Sequence, residues 1–228
     1  MSLLSAVRHI TKRRKILRDA INIEQYFSDW EETCVPSYCH KNLIAAYISW
    51  WRLFKSAQLA KINFLKSQEK TYALDFGSSV GELGHLISKT DYHFIEEDDA
   101  AAQQLLSALP KSTRFTLTNL PTNFYDVIFA LDSLEHNSNY EQLLGQLLQS
   151  LKENGVLILS GPTESFLYKL GRKIAGFEGH YHETNIYAIE DSAKKMLSLI
   201  HVSSLPICTP LFRISVWRKL PDITSHST

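Results

Sequence analysis

Apolar residues recur at three- to four-residue spacing from the start of the chain to about residue 67, which predicts helices there. Leu3, Leu4, Val7, Ile10, Leu17 and Ile21 mark the first of them. In "NLIAAYISWWRLFKSAQLAKINFL", Ile44, Tyr47, Ile48, Trp51, Phe54, Ile62 and Leu65 follow the same spacing, with polar Gln58 at one turn. That is an amphipathic helix whose apolar stripe is expected to pack on a core. Trp50 and Trp51 point to different parts of its surface, so one is left for a substrate or a membrane interface. Between the two helices "SDWEETCVPSYCHKN" reads as irregular, with Pro36 breaking any helix.

At Thr71 the rhythm changes. Short apolar runs "TYALDF", "YHFIEE", "RFTLT", "YDVIFAL" and "VLILS" read as strands, the last entered through a turn at Gly155. They alternate with the helical runs "GELGHLIS", "DAAAQQLLSAL" and "YEQLLGQLLQSLKEN", the last with Leu143, Leu144, Leu147, Leu148 and Leu151 on one face. Such alternation predicts a mostly parallel, doubly wound sheet covered on both faces. After a looser stretch comes the helix "AIEDSAKKMLSLI", then "HVSSLPI" and "LFRISVWRKL", with only Cys208, Thr209 and Pro210 between them. Three residues are too few for a parallel crossover, so the last pair is an antiparallel hairpin. The expected division is a helical extension or lid over 1–67 and an α/β domain over 68–228.

Composition narrows the function. With 24 basic and 24 acidic residues among 228, no global field recruits nucleic acid. Locally, "TKRRKILR" gathers Lys12, Arg13, Arg14, Lys15 and Arg18. It reads as a solvated helix face, with contact to acidic lipid or a phosphorylated substrate as the alternative. No apolar run is long enough to span a membrane; peripheral contact through the N-terminal basic and aromatic helices stays open. Three cysteines form no even disulfide framework, and nothing resembles a signal peptide, so a reduced, cytoplasmic setting is expected. Cys34, Cys39 and His40 do not have a usual zinc spacing; buried cysteines and a helix-start histidine are expected instead.

Ligands of an open α/β sheet bind outside the carboxyl ends of its strands. There "ALDFGSSVGELG" delivers Asp75 and a small-residue turn, and glycine lets backbone approach a ligand closely. A dinucleotide fingerprint is G-x-G-x-x-G, but "SVGELG" has Ser79 in the first glycine position and acidic Glu82 within the loop. An acid beside a pyrophosphate is repulsive, whereas S-adenosylmethionine carries cationic sulfonium and ammonium groups. The charge pattern favours the second.

At these residues the sequence resembles the class I S-adenosylmethionine-dependent methyltransferases, particularly their small-molecule branch, over roughly residues 71–218. The resemblance implies a Rossmann-like, mostly parallel seven-stranded sheet. Asp75, Gly77 and Gly81 match the family's first motif, with Ser78 beside them and Ser79 where the middle glycine usually stands. "FIEEDD" resembles the acid-tipped second strand; Glu96 aligns with the acid that accepts hydrogen bonds from the ribose hydroxyls, and Glu97 is the neighbouring alternative. "FYDVIFALDSLEHN" resembles the fourth-strand motif, which places Ala130, Leu131 and Asp132 at the methionine end. The aspartate usual after the third strand is missing; Asn119 and Leu120 lie in that adenine region beside Thr118.

The resemblance also implies that "GHYHETN" faces the acceptor, so His180 and His182 could position a hydroxyl or take its proton; packing of the next helix is the other reading. His136, after Glu135, carries the same dual reading. Trp30, Tyr38 and Trp50 are candidate acceptor contacts if the N-terminal helices form a lid, against simple core packing. The expected function is methyl transfer to a small molecule, at an oxygen of a glycan, lipid-linked or secondary-metabolite acceptor. A catalytically silent binding protein and an NAD-dependent dehydrogenase are the rivals.

Overall fold

A computed structural model describes residues 3–21, 35–40, 42–63, 70–163, 184–206 and 210–219. Helices α1 (Leu3–Ile21), α2 (Val35–Cys39) and α3 (Leu43–Asn63) precede strand β1 (Tyr72–Phe76). Then come β2 (Asp91–Ile95), α4 (Asp99–Ala108), β3 (Thr113–Arg114), β4 (Tyr125–Leu131), α5 (Tyr140–Ser150) and β5 (Leu151–Pro162). Helix α6 (Ile186–Lys194), β6 (Leu197–Leu205) and β7 (Phe212–Lys219) complete the described chain. The strands form one seven-stranded sheet in the order β3-β2-β1-β4-β5-β7-β6. Its first five strands pair in parallel, and β7 runs antiparallel to both neighbours, as the short connection requires.

Side chains alternate along each strand between two cores. Ala73, Val127, Phe129, Val156 and Ile158 enter one; Leu74, Ile128, Ala130, Leu157 and Leu159 enter the other. The second core is closed by α5 and α6 through Leu143, Leu144, Leu147, Ile186 and Ile189. The first is closed by α4 and by the N-terminal helices, which contribute Ile10, Leu17, Val35, Tyr38, Trp50 and Leu53.

Several elements differ from expectation. The run after β1 forms only a 3-10 turn at Gly84–Leu86, not a longer helix. A Cβ on Gly84 would lie 2.5 Å from Leu109 and 3.0 Å from the Tyr92 ring, so this segment is pressed closely on its neighbours. Helix α5 stops at Ser150, and Leu151, expected on its apolar face, opens β5 opposite Tyr125. The pairing then jumps to Val127 with Val156, so Gly155 sits in an irregularity of the strand. "MLSLI" ends as strand β6, because that segment pairs along β7. Pro36 lies inside α2, near the start of a five-residue helix, where its missing N–H leaves no bond unmade.

The largest correction concerns α3. Its buried face carries Ala46, Ser49, Trp50, Leu53, Ser56, Ala57 and Ala60. Small residues there let the helix lie close to the sheet. Of the expected stripe, half-buried Tyr47 and Phe54 pack against the core, but Ile44 is 73% exposed and Trp51 and Ile62 are exposed as well, as is neighbouring Leu43. Leu65 lies outside the described residues. Trp50 donates its indole N–H to the Tyr38 carbonyl at 3.2 Å, so Trp50 and Tyr38 are core residues. Trp30 lies outside the described residues.

Of the basic run, Arg14 donates to the carbonyls of Tyr38 (3.2 Å) and His40 (2.6 Å), and Arg13 is bound to Glu82. Two of its members are therefore structural, while Lys12 and Lys15 remain exposed. Burial pushes the Cys39 thiol up to about 11, and His40 Nδ1 accepts the Asn42 N–H just before α3. Among the described residues no group of His, Cys, Asp and Glu could hold a metal, and no helix is long and apolar enough to cross a membrane. Cys34 and Cys208 lie outside them.

Candidate active site

The strand order reverses between β1 and β4, which opens a crevice at their carboxyl ends. The turn leaving β1 is laced to the end of β2, since Gly77 and Ser78 both donate N–H bonds to Ile95 O, at 2.9 and 3.2 Å. Gly77 and Gly81 have φ of 70° and 78°. Ser79 has φ of 49°, so the serine keeps the left-handed backbone for which glycine is usual. It is held there by the Glu96 carboxylate, which accepts the Ser79 N–H at 2.6 Å. The other Glu96 oxygen accepts the Asp98 N–H at 3.0 Å. Arg114 of β3 clamps the same strand end, donating to Glu96 O at 2.6 Å and to Asp99 at 2.8 Å. Glu96 is thus turned to the loop, whereas Glu97 is exposed.

The wall across from this loop is the end of β4. Asp132 takes φ of 51°, and its N–H donates to Ser160 O at 2.8 Å. Arg52, reaching from α3, forms a buried ion pair with Asp132 and stacks over Phe212. A Cβ on Gly77 would lie 2.5 Å from Ser133 Cβ, so the two walls meet with no room to spare. The hydroxyls of Ser78, Ser79 and Ser133 are buried without a hydrogen-bond partner. Three unmatched polar groups beside one glycine turn are what a polar ligand would satisfy. Those residues fit a cofactor laid across the crevice.

The acids of the motif are placed differently from the simple charge argument. Asp75 is buried and accepts the Tyr92 hydroxyl at 2.5 Å. Burial raises its pKa to about 7, against the lowering effect of the Tyr92 bond and with a smaller push from Glu96. Glu82 is buried and bound by Arg13 through Nε at 2.9 Å and Nη2 at 2.6 Å. Its charge is matched by α1 and does not face the crevice as an unpaired acid, so it carries no argument for or against pyrophosphate.

The remaining sequence candidates scatter. Ala130 and Leu131 are buried at the end of β4, and Leu120 packs on the second core. Asn119 is exposed and uses its side-chain oxygen to accept the Thr116 N–H at 2.8 Å, capping its own turn. His136 is exposed on the turn after β4, while Glu135 beside it is buried. His180 and His182 lie outside the described residues. Sequence reading did not single out Arg52, Tyr92, Ser133 or Arg114. Arg52 was visible only as a cation interrupting an apolar helix.

A methyltransferase domain family matches residues 50–203, about two thirds of the chain. The chain belongs to this family, and its sheet is that of the S-adenosylmethionine-dependent class. It is a methyltransferase of that class. No curated protein matches it in sequence. Among solved structures, magnesium protoporphyrin IX methyltransferase from Synechocystis PCC 6803, with bound S-adenosylhomocysteine, superposes with a TM-score of 0.60 or better, at 0.63. The two are 17% identical over 90% of this chain and 99% of that one. The N-methyltransferase NodS from Bradyrhizobium japonicum WM9, also with S-adenosylhomocysteine, gives 0.57 at 12% identity, covering 73% and 86%. The 1,6-didemethyltoxoflavin-N1-methyltransferase of Burkholderia thailandensis gives 0.57 at 10%, covering 75% and 79%.

Proposed function

We propose that the protein transfers a methyl group from S-adenosylmethionine to a hydroxyl oxygen of a small organic molecule. The observation that carries the cofactor assignment is the convergence of three unmatched hydroxyls, Ser78, Ser79 and Ser133, on the Gly77 turn. Bound there, S-adenosylmethionine supplies an electrophilic methyl on a sulfonium. Gly77 and Gly81 offer backbone without an intervening Cβ, and the Glu96 carboxylate offers acceptor oxygens to the ribose hydroxyls. Ala130 to Asp132 border the methionine end. Two of the similar solved structures, magnesium protoporphyrin IX methyltransferase and 1,6-didemethyltoxoflavin-N1-methyltransferase, are named for small molecules. The sequence has no "NPPY" tetrapeptide of the kind used for amino methylation of DNA or glutamine.

In the transfer an acceptor oxygen forms its bond to the methyl carbon as the sulfur–carbon bond breaks, and the acceptor proton is lost. Alignment of the oxygen is the main requirement. His180, His182 and His136 are the candidates to hold or take that proton. The balanced charge supports a small acceptor over nucleic acid, and the odd cysteine count supports a cytoplasmic setting.

Calorimetry with S-adenosylmethionine tests the cofactor reading, and transfer from methyl-labelled cofactor in cell extracts tests turnover. Binding weakened by Glu96→Ala, together with a labelled small product, is the expected result. No binding sinks the assignment; binding without any turnover leaves a catalytically silent protein. A labelled product whose methyl sits on nitrogen overturns the oxygen assignment.

A further inference from the structure

The outward stripe of α3 has a second wall. Ile44, Tyr47, Ile48 and Trp51 face Leu205 and Pro206 across a groove of about 570 Å³. Among the described residues of that lining the Tyr47 hydroxyl and the Trp51 indole N–H are the polar side-chain groups, and none is charged. Position distinguishes this groove from an incidental apolar patch. Strand β7 is antiparallel to both β5 and β6, so β6 points the same way as β5. Leu205 therefore ends at the carboxyl edge, the edge that carries the crevice. Pro162, Phe212 and Leu205 lie on one rung across the three strands. Arg52, next to Trp51, stacks over Phe212 at 5.1 Å and pairs with Asp132 at the end of β4. A chain of contacts, Leu205 with Phe212, Phe212 with Arg52 and Arg52 with Asp132, links the wall of the groove to the end of β4 beside the crevice.

Resting on the methyltransferase reading, we propose that this groove holds the uncharged apolar body of the methyl acceptor. Its class would be an alkyl, isoprenoid or fused-ring alcohol or phenol. The hydroxyl end would point along Phe212 towards the crevice. A charged acceptor body would lose its hydration here without gaining a partner, whereas an apolar one gains from burial. Trp51 is then a specificity-determining residue, while Trp50 beside it is core.

The probe is 4-octylphenol, titrated into the full chain with and without S-adenosylhomocysteine and followed by calorimetry. Binding is expected with cofactor product already bound, since the groove lies beside the crevice. Ile44→Asp and Trp51→Asp, both at exposed positions, are each expected to weaken the probe by about tenfold or more. Their S-adenosylhomocysteine affinity and melting temperature should stay near wild type. Competition between probe and S-adenosylhomocysteine, or variants that bind the probe unchanged, overturns the proposal. So does a groove that serves another occupant: loss of self-association, or of binding to neutral phosphatidylcholine vesicles, in the variants with probe affinity intact. Failure of S-adenosylhomocysteine to bind the wild type defeats the methyltransferase reading, while probe binding still reports on the groove by itself.

Discussion

The Ser79 backbone N–H donates to the Glu96 carboxylate at 2.6 Å, so one acid fixes the turn that follows β1 while standing beside the proposed ribose position. A non-glycine residue at φ of 49° is costly unless its surroundings hold it, and this bond is what holds it. Glu96→Ala should therefore lower S-adenosylhomocysteine affinity by about tenfold or more, the size expected for hydrogen bonds to a charged group. Glu97→Ala should leave it unchanged, because Glu97 is exposed. Calorimetry on the two variants distinguishes them; an unchanged affinity in Glu96→Ala would remove Glu96 from the site.

Gly77 meets Ser133 with no space for a methyl group, and its φ is 70°. Gly77→Ala adds both a steric clash and a backbone penalty of about 1–2 kcal/mol. Thermal unfolding should show clear destabilisation, and cofactor binding should fall with it. Ser133→Gly removes the Cβ that the alanine would strike. The double variant should relieve the clash but retain the backbone penalty, which makes the two contributions separable by a double-mutant cycle.

Arg13 and Glu82 join the N-terminal helix to the motif loop, 69 residues apart in sequence. Glu82 is fully buried within this pair, and burial raises its pKa despite the cation. Arg13→Met strands a buried carboxylate and should destabilise the protein by about 3–5 kcal/mol. Glu82→Gln on that background removes the charge and should restore part of the loss. Denaturant titration of the single and double variants is the measurement; an additive result would mean the pair is not coupled.

The strands of the sheet were legible because burial on both faces makes β1, β4 and β5 short, nearly continuous apolar runs, and the hairpin followed from a three-residue connection. The motif turn was legible too, down to Gly77 and Gly81, which take the positive φ that glycine permits. What failed was whatever depends on a partner distant in sequence. The α3 stripe looked like a core face because large apolar residues outweighed Ala46, Ala57 and Ala60, whose small size is what lets the helix approach the sheet. Glu82 looked like a loop acid because nothing local announces Arg13. Arg52 seemed an interruption, although its guanidinium reaches Asp132. Segments such as "MLSLI" carry helical spacing locally, but pairing with β7 decides their conformation.

Asp75 gives a pH signature with a defined sign. Its ordinary carboxylate pKa of 3.8 is raised to about 7 in the folded chain, chiefly by burial. Between those values the folded state keeps a proton that the unfolded state has released. The stability this contributes is complete below pH of about 4 and is lost as pH rises towards 7. His85 acts oppositely: burial, aided by Arg13 and His9, lowers it from 6.5 to about 4, so its contribution rises with pH over that interval. The raw melting profile therefore mixes the two, and the difference between variant and wild type is the useful quantity. Asp75→Asn keeps an acceptor oxygen for the Tyr92 hydroxyl but cannot ionise. Relative to wild type it should gain thermal stability steadily from pH 4 to 7 and then level off. A difference that is flat with pH would show that Asp75 ionises at an ordinary value and that its burial is relieved in solution.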